Sequence, residues 1–455
     1  MGTHRQRSAG TVAARRAGTL AIILAMTLLA VGCGIAVDQV SSPVSVQARP
    51  DVPEDTRIDP PSTTSTTPVP LTSSGLQAVA ADLQQFWAST LPSVYDVTYR
   101  PVADDRVVAA APGIDIPPCD GERIKYNDVK GNAFAANCSE GPLVVWDAVR
   151  LIPQLNANFG PAAAAVVLAH EWGHIAQFEA KVGGLPTVLS EQQADCFAGA
   201  WLADTVEDPG DLDEVVAAHP LDTSISSIIA FRDNPGRRKD DPSAHGSGFD
   251  RVRALQEGVD RGAAFCARYP EDQPALTEIP FNSPEEAATG GNLTLGDLVP
   301  LVVEDLNAFY GQVVTGFKGA TEADVMGDGD TVSFLQDLTE KIGDGAAGLA
   351  LGIIWAQFAQ RQVGADEGRD ASARLLQQAC MAGGWLATVF PREGRTAEEG
   401  LQLSAGDLDE SILALIALAK AEKGFEASED GALFELVADL RQGVIEGFDS
   451  CGLRR

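Results

Sequence analysis

The chain has 455 residues, of which 45% are hydrophobic and 21% are charged. This composition is that of a globular protein with room for two or three domains, and it excludes a chain that is disordered or collagen-like over most of its length. The 33 basic and 64 acidic residues give a formal charge of −31. Such a charge repels the phosphates of nucleic acid, so we expect no nucleic acid partner.

The N-terminal residues form a predicted targeting segment. Four arginines precede an apolar run over residues 17–31, which is too short to span a bilayer comfortably and ends in small residues, as a secretory signal does. Ala30-Val31-Gly32-Cys33 resembles the lipobox of bacterial lipoproteins. This resemblance implies that residues 1–32 are a lipoprotein signal peptide and that a lipid on Cys33 anchors the chain to the outer face of the cell membrane. Secretion without a lipid is the alternative.

Residues 33–75 are rich in proline, serine and threonine and contain almost no aromatic residues. This composition is typical of an extended tether, so we expect the folded part to stand clear of the membrane. Export also places the remaining six cysteines in an oxidising compartment, where three disulfides are expected.

The predicted chemistry lies at residues 170–174, His-Glu-Trp-Gly-His. Pro161 and the alanine-rich stretch after it predict a helix that begins at Pro161. His170 and His174 then lie one turn apart on one face, where both can bind a single zinc ion, and Glu171 is placed to take a proton from water. A helix with two incidental histidines is the alternative.

A catalytic zinc needs a third protein ligand. Residues 190–193, Ser-Glu-Gln-Gln, resemble a capping box, which predicts that a second helix begins at Ser190. Glu191 and Asp195 share one face of this helix. Glu191 is the candidate third ligand, and Asp195 is the candidate acceptor for the outward N–H of a ligating histidine. An acid in a first helical turn also stabilises the helix without binding a metal, so both interpretations stay open.

Residues 170–177 (HEWGHIAQ) and 191–201 (EQQADCFAGAW) resemble the bacterial neutral zinc metallopeptidases. Gly210–Glu214, His245 and Cys266 follow in that family's order. The resemblance covers about residues 110–270, and it implies an α+β zincin-like fold that is predominantly helical.

The resemblance also implies a site with one zinc ion per chain. His170, His174 and Glu191 would be its ligands, Glu171 the general base and Asp195 the support of a ligand. His245 is a candidate catalytic donor to the oxyanion of the tetrahedral intermediate, and a purely structural role is the alternative. The apolar residues 143–146 predict a strand, and in such a fold an edge strand holds the substrate backbone.

The C-terminal part of the chain repeats the preceding part. Residues 378–387 repeat residues 194–203, and residues 406–410 repeat Gly210–Glu214. Asp82-Leu83 likewise recurs as Asp305-Leu306. We infer an internal duplication, in which residues 76–270 form the metallopeptidase domain and residues 290–455 form a degenerate copy.

The copy has lost every proposed metal group. Ile353, Ile354 and Gln357 stand where the first half has the two histidines and the general base, and Leu375 and Ala379 stand at the positions of the two acids. Apolar residues refill such a site once the metal is lost, so we expect a non-catalytic domain. The repeat also matches cysteines with cysteines, which predicts three bridges: Cys196–Cys266, Cys380–Cys451 and, by remainder, Cys119–Cys138.

These features predict a zinc-dependent endopeptidase of the cell envelope. Its substrate would be a peptide or protein, and the attacking water would be activated by the metal and Glu171. The alternative is a catalytically silent surface lipoprotein that binds a protein or peptide partner.

Overall fold

A computed structural model of the chain describes residues 73–453, except 184, 218, 240, 242, 278, 392–399 and 422–430. The predicted signal peptide, Cys33 and the predicted tether up to residue 72 lie outside the described residues. The first described helix, α1, begins at Ser73. The last three residues of the predicted tether are therefore helical.

Alanine-rich and leucine-rich segments give the first half mostly helices, with one small sheet. In chain order its elements are α1 Ser73–Tyr95, β1 Val107–Ala110, α2 Tyr126–Val129, β2 Ala133–Cys138, β3 Gly141–Asp147, α3 Leu151–Asn158, α4 Pro161–Ala180, α5 Thr187–Glu207, α6 Asp213–Val216, α7 Pro220–Ala230, α8 Gly248–Arg261, α9 Ala263–Cys266 and α10 Tyr269–Asp272.

The described part of the second half is helical. Its α-helices are α11 Pro284–Thr289, α12 Leu295–Val313, α13 Glu322–Met326, α14 Gly329–Lys341, α15 Asp344–Val363, α16 Ala371–Leu386, α17 Asp407–Ala421 and α18 Ala432–Glu446. The prediction of a predominantly helical α+β protein is thereby confirmed. Among the described residues, no helix is both long and apolar enough to cross a membrane.

The sheet has the strand order β1-β3-β2, with β3 parallel to β1 and antiparallel to β2. The predicted strand at residues 143–146 is therefore confirmed, but its expected place at a sheet edge is wrong. Val144 and Trp146 pack into the main core, whereas Leu143 and Val145 pack into a smaller core on the opposite face. A strand that is buried on both faces belongs in the middle of a sheet, and the edge beside α4 is formed by β2.

Helix α4 begins where the sequence predicts. Gly160 precedes it with a φ of 100°, a conformation that favours glycine, and Pro161 occupies the first turn. The helix is buried along almost its whole length, including residues 170–174. Its small alanines let neighbouring elements approach on every side, so α4 forms the centre of the first half.

Helix α5 begins earlier than predicted. It starts at Thr187 after Pro186, whose φ of −53° suits the approach to a helix. Ser190 lies inside the helix, where its hydroxyl donates to Oε1 of Gln177 at 3.1 Å. The capping box predicted at Ser190 is therefore wrong, because the tertiary contact with α4 takes up the serine hydroxyl.

Two helix pairs cross closely, and in each pair a disulfide joins one helix to the segment that follows the other. A Cβ at Gly258 of α8 would lie 1.8 Å from the carbonyl oxygen of Cys196 in α5, and one at Gly443 of α18 would lie 1.9 Å from that of Cys380 in α16. Only glycine permits such contact. The described part of the chain contains three disulfides, which match the predicted pairing: Cys119–Cys138, Cys196–Cys266 and Cys380–Cys451.

The two halves also use similar, partly buried hydrogen bonds. Nε1 of Trp201 donates to Asp82 at 2.7 Å, and Nε1 of Trp385 donates to Asp305 at the same distance. Buried side chains of both halves belong to one continuous hydrophobic core.

A carboxylate of the second half binds the start of a first-half helix. Asp409, in α17, accepts hydrogen bonds from the amides of Gly248 and Phe249 at 3.0 and 2.8 Å. These amides lie at the N-terminus of α8, where a negative charge is favourable. Arg232 also lies 3.5 Å from Asp409. The junction therefore links α17 directly to α8.

Candidate metal centre

Helices α4 and α5 bring the three predicted ligands together. Gly173 permits their close approach, since a Cβ there would lie 2.9 Å from Cα of Ala194. Oε2 of Glu191 lies 3.3 Å from Nε2 of His170 and 3.5 Å from Nε2 of His174. The ligand atoms of all three residues lie within 4.8 Å of one another. These residues can hold a metal ion.

The spacing and the donor atoms fit a small tetrahedral site. With metal–ligand bonds of about 2.0–2.1 Å, neighbouring ligand atoms of a tetrahedron lie about 3.3 Å apart. The distances from Glu191 to the two imidazoles are close to this value. Two imidazole nitrogens and one carboxylate oxygen also form a donor set that leaves the fourth position open.

Glu171 supplies a further observation for this fit. Its side chain is fully buried, and neither carboxylate oxygen has a hydrogen-bond partner of good geometry among the described residues, although the backbone of Ala135 lies near it. Burial raises the pKa of Glu171, against the opposing effects of the two histidines and of a nearby backbone group at Ala135. A buried carboxyl group without a partner is costly, so a bound ligand with a hydrogen to donate would be its natural partner.

Asp195 orients the first histidine. Its Oδ1 lies 2.8 Å from Nδ1 of His170, which leaves Nε2 facing Glu191. Arg251, from α8, donates to both oxygens of Asp195 at 2.8 Å, and also to the carbonyl oxygen of Phe231. Asp195 thus lies in contact with His170, as its predicted supporting role requires, and that role stays a prediction. The role of Arg251 was missed, because its 56-residue separation from Asp195 gives no local pattern.

Gln177 orients the second histidine. Its Oε1 lies 2.8 Å from Nδ1 of His174, and its Nε2 donates to the carbonyl oxygen of Ser190 and to Gln193. Gln193 in turn donates to the carbonyl oxygen of Cys266, the residue that forms the disulfide with Cys196 of α5. Gln177 was also missed as a positioning residue, although its place three residues after His174 puts both on one helix face.

The buried charged groups of the site favour a cation at the position between the imidazoles. Burial lowers the pKa of His170, but Asp195 and Glu191 outweigh it and raise that pKa to about 10. Burial raises the pKa of Glu191, but the two histidines outweigh it and hold the pKa well below its ordinary value. Arg251 and His170 likewise outweigh burial and lower the pKa of Asp195. The carboxylates thus attract positive charge to the position between the imidazoles.

His245 lies in the loop that leads into α8. Its amide and that of Gly246 donate to Oδ2 of Asp233, and its Nδ1 lies 3.6 Å from the other oxygen. Ser247 then caps the helix by accepting from the amide of Asp250. These contacts give His245 a structural place, and its role as an oxyanion donor stays a prediction.

The candidate centre is nearly closed to solvent. The exposed fractions of His170, Glu171, His174 and Glu191 are 1%, 0%, 6% and 5%. Solvent therefore reaches the ligands mainly on the side of His174 and Glu191. The ring of Phe178 stacks near His174, with centroids 6.4 Å apart.

A second group of acidic residues lies in the other half. Asp344, at the start of α15, and Asp407 and Glu410, in the first turn of α17, are all buried, and one oxygen of each lies within 4.8 Å of the others. Burial and mutual repulsion raise the pKa of Asp407 and Glu410 well above the ordinary values, and burial also raises that of Asp344. No local sequence pattern marks this group, since the three residues come together only in the fold.

Comparison of the chain with protein-family models found no match, and comparisons with curated proteins and with solved structures found none either. Functional interpretation of the centre therefore depends on the residues themselves and on their geometry.

Proposed function

We propose that the protein is a zinc-dependent endopeptidase. The observation that carries this proposal is the site itself: two imidazoles and a carboxylate at tetrahedral spacing, beside the unpartnered carboxyl group of Glu171. When bound by His170, His174 and Glu191, zinc would polarise a peptide carbonyl and make water a stronger nucleophile near neutral pH.

Glu171 is the proposed general base. It accepts a proton from the attacking water and passes it to the leaving amine as the peptide bond breaks. Burial raises the pKa of its carboxyl group, which strengthens the carboxylate as an acceptor of a proton from water. Asp195 and Gln177 keep Nε2 of each ligating histidine directed at the metal position.

The proposal is tested by incubating the purified full chain with an unbiased peptide mixture and recording its zinc content. The matched variants are Glu171→Gln, which removes the base but keeps its shape, and Glu179→Gln, which makes the same exchange two turns later on α4. We expect about one zinc per chain in all three proteins and cleavage only by the wild type and Glu179→Gln. Cleavage that survives in Glu171→Gln contradicts the mechanism.

The burial of the ligands supports a second candidate function, a catalytically silent surface protein that binds a protein or peptide partner. A substrate backbone would have to open the nearly closed side of the centre near His174 to reach it. Zinc binding without cleavage by wild-type protein, over a broad range of peptides, favours this second candidate.

We also propose that residues 290–455 are a degenerate copy of the catalytic half. Similar contacts in both halves support this: Gln193 donates to the carbonyl oxygen of Cys266 at 3.0 Å, and Gln377 donates to that of Cys451 at 3.0 Å. Gln360 takes the place of Gln177, since it donates to Gln377 as Gln177 does to Gln193. In the copy, Oε1 of Gln360 accepts from the side-chain amide Nε2 of Gln378 and has no imidazole as its partner.

The proposed location is the cell envelope, with a lipid anchor on Cys33. Three disulfides are compatible with export to an oxidising compartment. Mass spectrometry of the N-terminal peptide from membrane-bound protein tests the anchor: a peptide that begins with a diacylated Cys33 supports it, and an unmodified cysteine in secreted protein contradicts it.

A further inference from the structure

We propose that Asp344, Asp407 and Glu410 form a calcium site in the second half of the chain. This site is separate from the proposed zinc centre and does not depend on peptidase activity. It would hold the N-termini of α15 and α17 together.

The donor set determines the class of ion. All three side chains are more than nine-tenths buried, and each offers one oxygen that lies within 4.8 Å of the other two. An ion with Ca–O bonds of about 2.4 Å can bridge oxygens with this spacing. Carboxylate oxygens without nitrogen or sulfur select hard cations, and exported proteins meet calcium at concentrations that suit affinities of about 10⁻⁴–10⁻³ M.

The carboxylates are fixed by backbone amides. Asp344 accepts from the amide of Leu293 at 2.9 Å, and Glu410 accepts from that of Gly345 at 2.9 Å. Asp407 accepts from the amide of Ser404. Each carboxylate is thereby held in place through one oxygen. The side chains are therefore already ordered before an ion binds.

One oxygen in this group has no hydrogen-bond partner. Among the described residues, buried Oδ1 of Asp344 has no donor with good hydrogen-bond geometry, although the backbone of Gly345 lies near the carboxylate, whereas Oδ2 accepts from the amide of Leu293. Burying a carboxylate oxygen in this way is costly unless it is protonated or bound to a cation. The free oxygen belongs to the same side chain that lies against Asp407 and Glu410. A cation between the three groups would supply its partner.

The surrounding charges do not balance the three acids. Glu286 adds a fourth negative charge close to Asp407. The positive charge of Arg232 partly offsets the negative charge of Glu410, but Arg232 also lies 3.5 Å from Asp409. A divalent cation would remove most of the remaining repulsion between the buried carboxylates.

The corresponding first-half residues provide a matched control. Gly210–Glu214 has the same sequence as residues 406–410, but Asp211 and Glu214 are exposed. The second-half sequence becomes a candidate ion site only because α17 packs against the start of α15. Asp211→Asn therefore removes the same charge from the same local sequence without touching the proposed site.

The test uses equilibrium dialysis to measure Ca²⁺ binding to the full chain as purified, together with thermal unfolding at pH 7.5. We expect one saturable Ca²⁺ per chain, a melting temperature that rises with Ca²⁺ more than with Mg²⁺, and unchanged behaviour in Asp211→Asn. Asp407→Asn and Glu410→Gln should each weaken Ca²⁺ binding at least tenfold. Both exchanges relieve buried repulsion, so these variants should fold.

Three outcomes would overturn the proposal. One is the absence of saturable Ca²⁺ binding by the wild type up to 10 mM, a concentration about tenfold above the weakest extracellular sites. Another is equal binding by wild type and Asp407→Asn. The third is a melting temperature that rises as the pH falls from 8 to 6 and does not respond to Ca²⁺, which would show that the acids share protons instead. Because the measured quantity is Ca²⁺ binding, the result stands whether or not the peptidase proposal fails.

Discussion

The exchange Asp195→Asn tests how the protein holds its first proposed metal ligand. Oδ1 of Asp195 faces both His170 and Arg251, and Oδ2 faces Nε of Arg251. If the asparagine keeps its oxygen toward His170, its amide group faces the Nε–H of Arg251, so two donors meet. Arg251 is only 1% exposed, so its charge would lose its buried partner.

The expected cost follows from that burial. Removing one partner of a buried ion pair costs about 3–5 kcal/mol, because the other charge stays uncompensated. Loss of the carboxylate that orients a ligating histidine typically weakens metal binding about 10–100-fold. We therefore expect Asp195→Asn to lower both the free energy of unfolding of the metal-free protein and its affinity for zinc.

The assay combines urea unfolding of metal-free protein with zinc competition against a chromophoric chelator. Glu179→Gln is the matched control, because Glu179 also accepts two hydrogen bonds from an arginine, at 2.9 and 3.1 Å. Its partner Arg100 has a side chain that is 79% exposed, so solvent screens that pair and it should contribute little to stability. Equal effects of the two exchanges on unfolding and on zinc affinity would refute the reasoning.

The pH dependence has a defined sign. In the folded protein the pKa of Asp195 is lowered, because Arg251 and His170 outweigh burial. Its stabilising contribution is therefore fully present above the unfolded-state pKa of about 3.9 and is lost as the pH falls through the lower folded-state pKa. The stability difference between wild type and Asp195→Asn should shrink in that acidic range.

Gly258→Ala should destabilise the protein by at least about 3 kcal/mol in urea unfolding, because its Cβ would lie 1.8 Å from a carbonyl oxygen of α5. Gly311→Ala is the matched exchange without a close contact, since nothing lies within 4 Å of its Cβ, and it should stabilise α12 by about 0.5–1 kcal/mol. The opposite order of stabilities would contradict the close-crossing argument. Replacing Cys380 and Cys451 together by alanine should cost about 4.4 kcal/mol, from the chain entropy of a loop with a sequence separation of 71, as measured by calorimetry. Asp439→Asn should raise stability at pH 8 by about 1 kcal/mol after allowing for solvent screening, and have little effect at pH 4, because burial and a neighbouring glutamate raise the pKa of Asp439 to about 6. A gain that is equal at both pH values would contradict that assignment.

Local sequence patterns predicted the features that depend on local chemistry. Pro161 and the alanines after it predicted the start of α4, and the helical spacing of His170 and His174 predicted that both imidazoles face one point. The repeated cysteine positions predicted all three disulfides. In each case a short segment, or a comparison of two short segments, contains the needed information.

Other features depend on contacts between distant segments. Ser190 has the sequence context of a helix cap, but its hydroxyl is used by Gln177 from another helix. The strand at residues 143–146 is central because a separate strand pairs with each of its sides. Arg251 and Asp344 reach their partners across 56 and 51 residues, respectively. No local pattern marks such residues, because their roles arise only after the helices pack.

A path of direct contacts runs from the second half to the candidate zinc centre. Asp409 accepts from the first amides of α8, α8 carries Arg251, and Arg251 holds Asp195 against His170. Every side chain on this path is buried, so none can move far without leaving a charge or a polar group unpaired. The first half can therefore still require the second half, although the second half has no metal ligands of the zinc type. The reason is that the second half fixes the end of helix α8, which positions a proposed ligand. If the second half is the degenerate copy proposed above, this dependence gives a physical reason for keeping its fold.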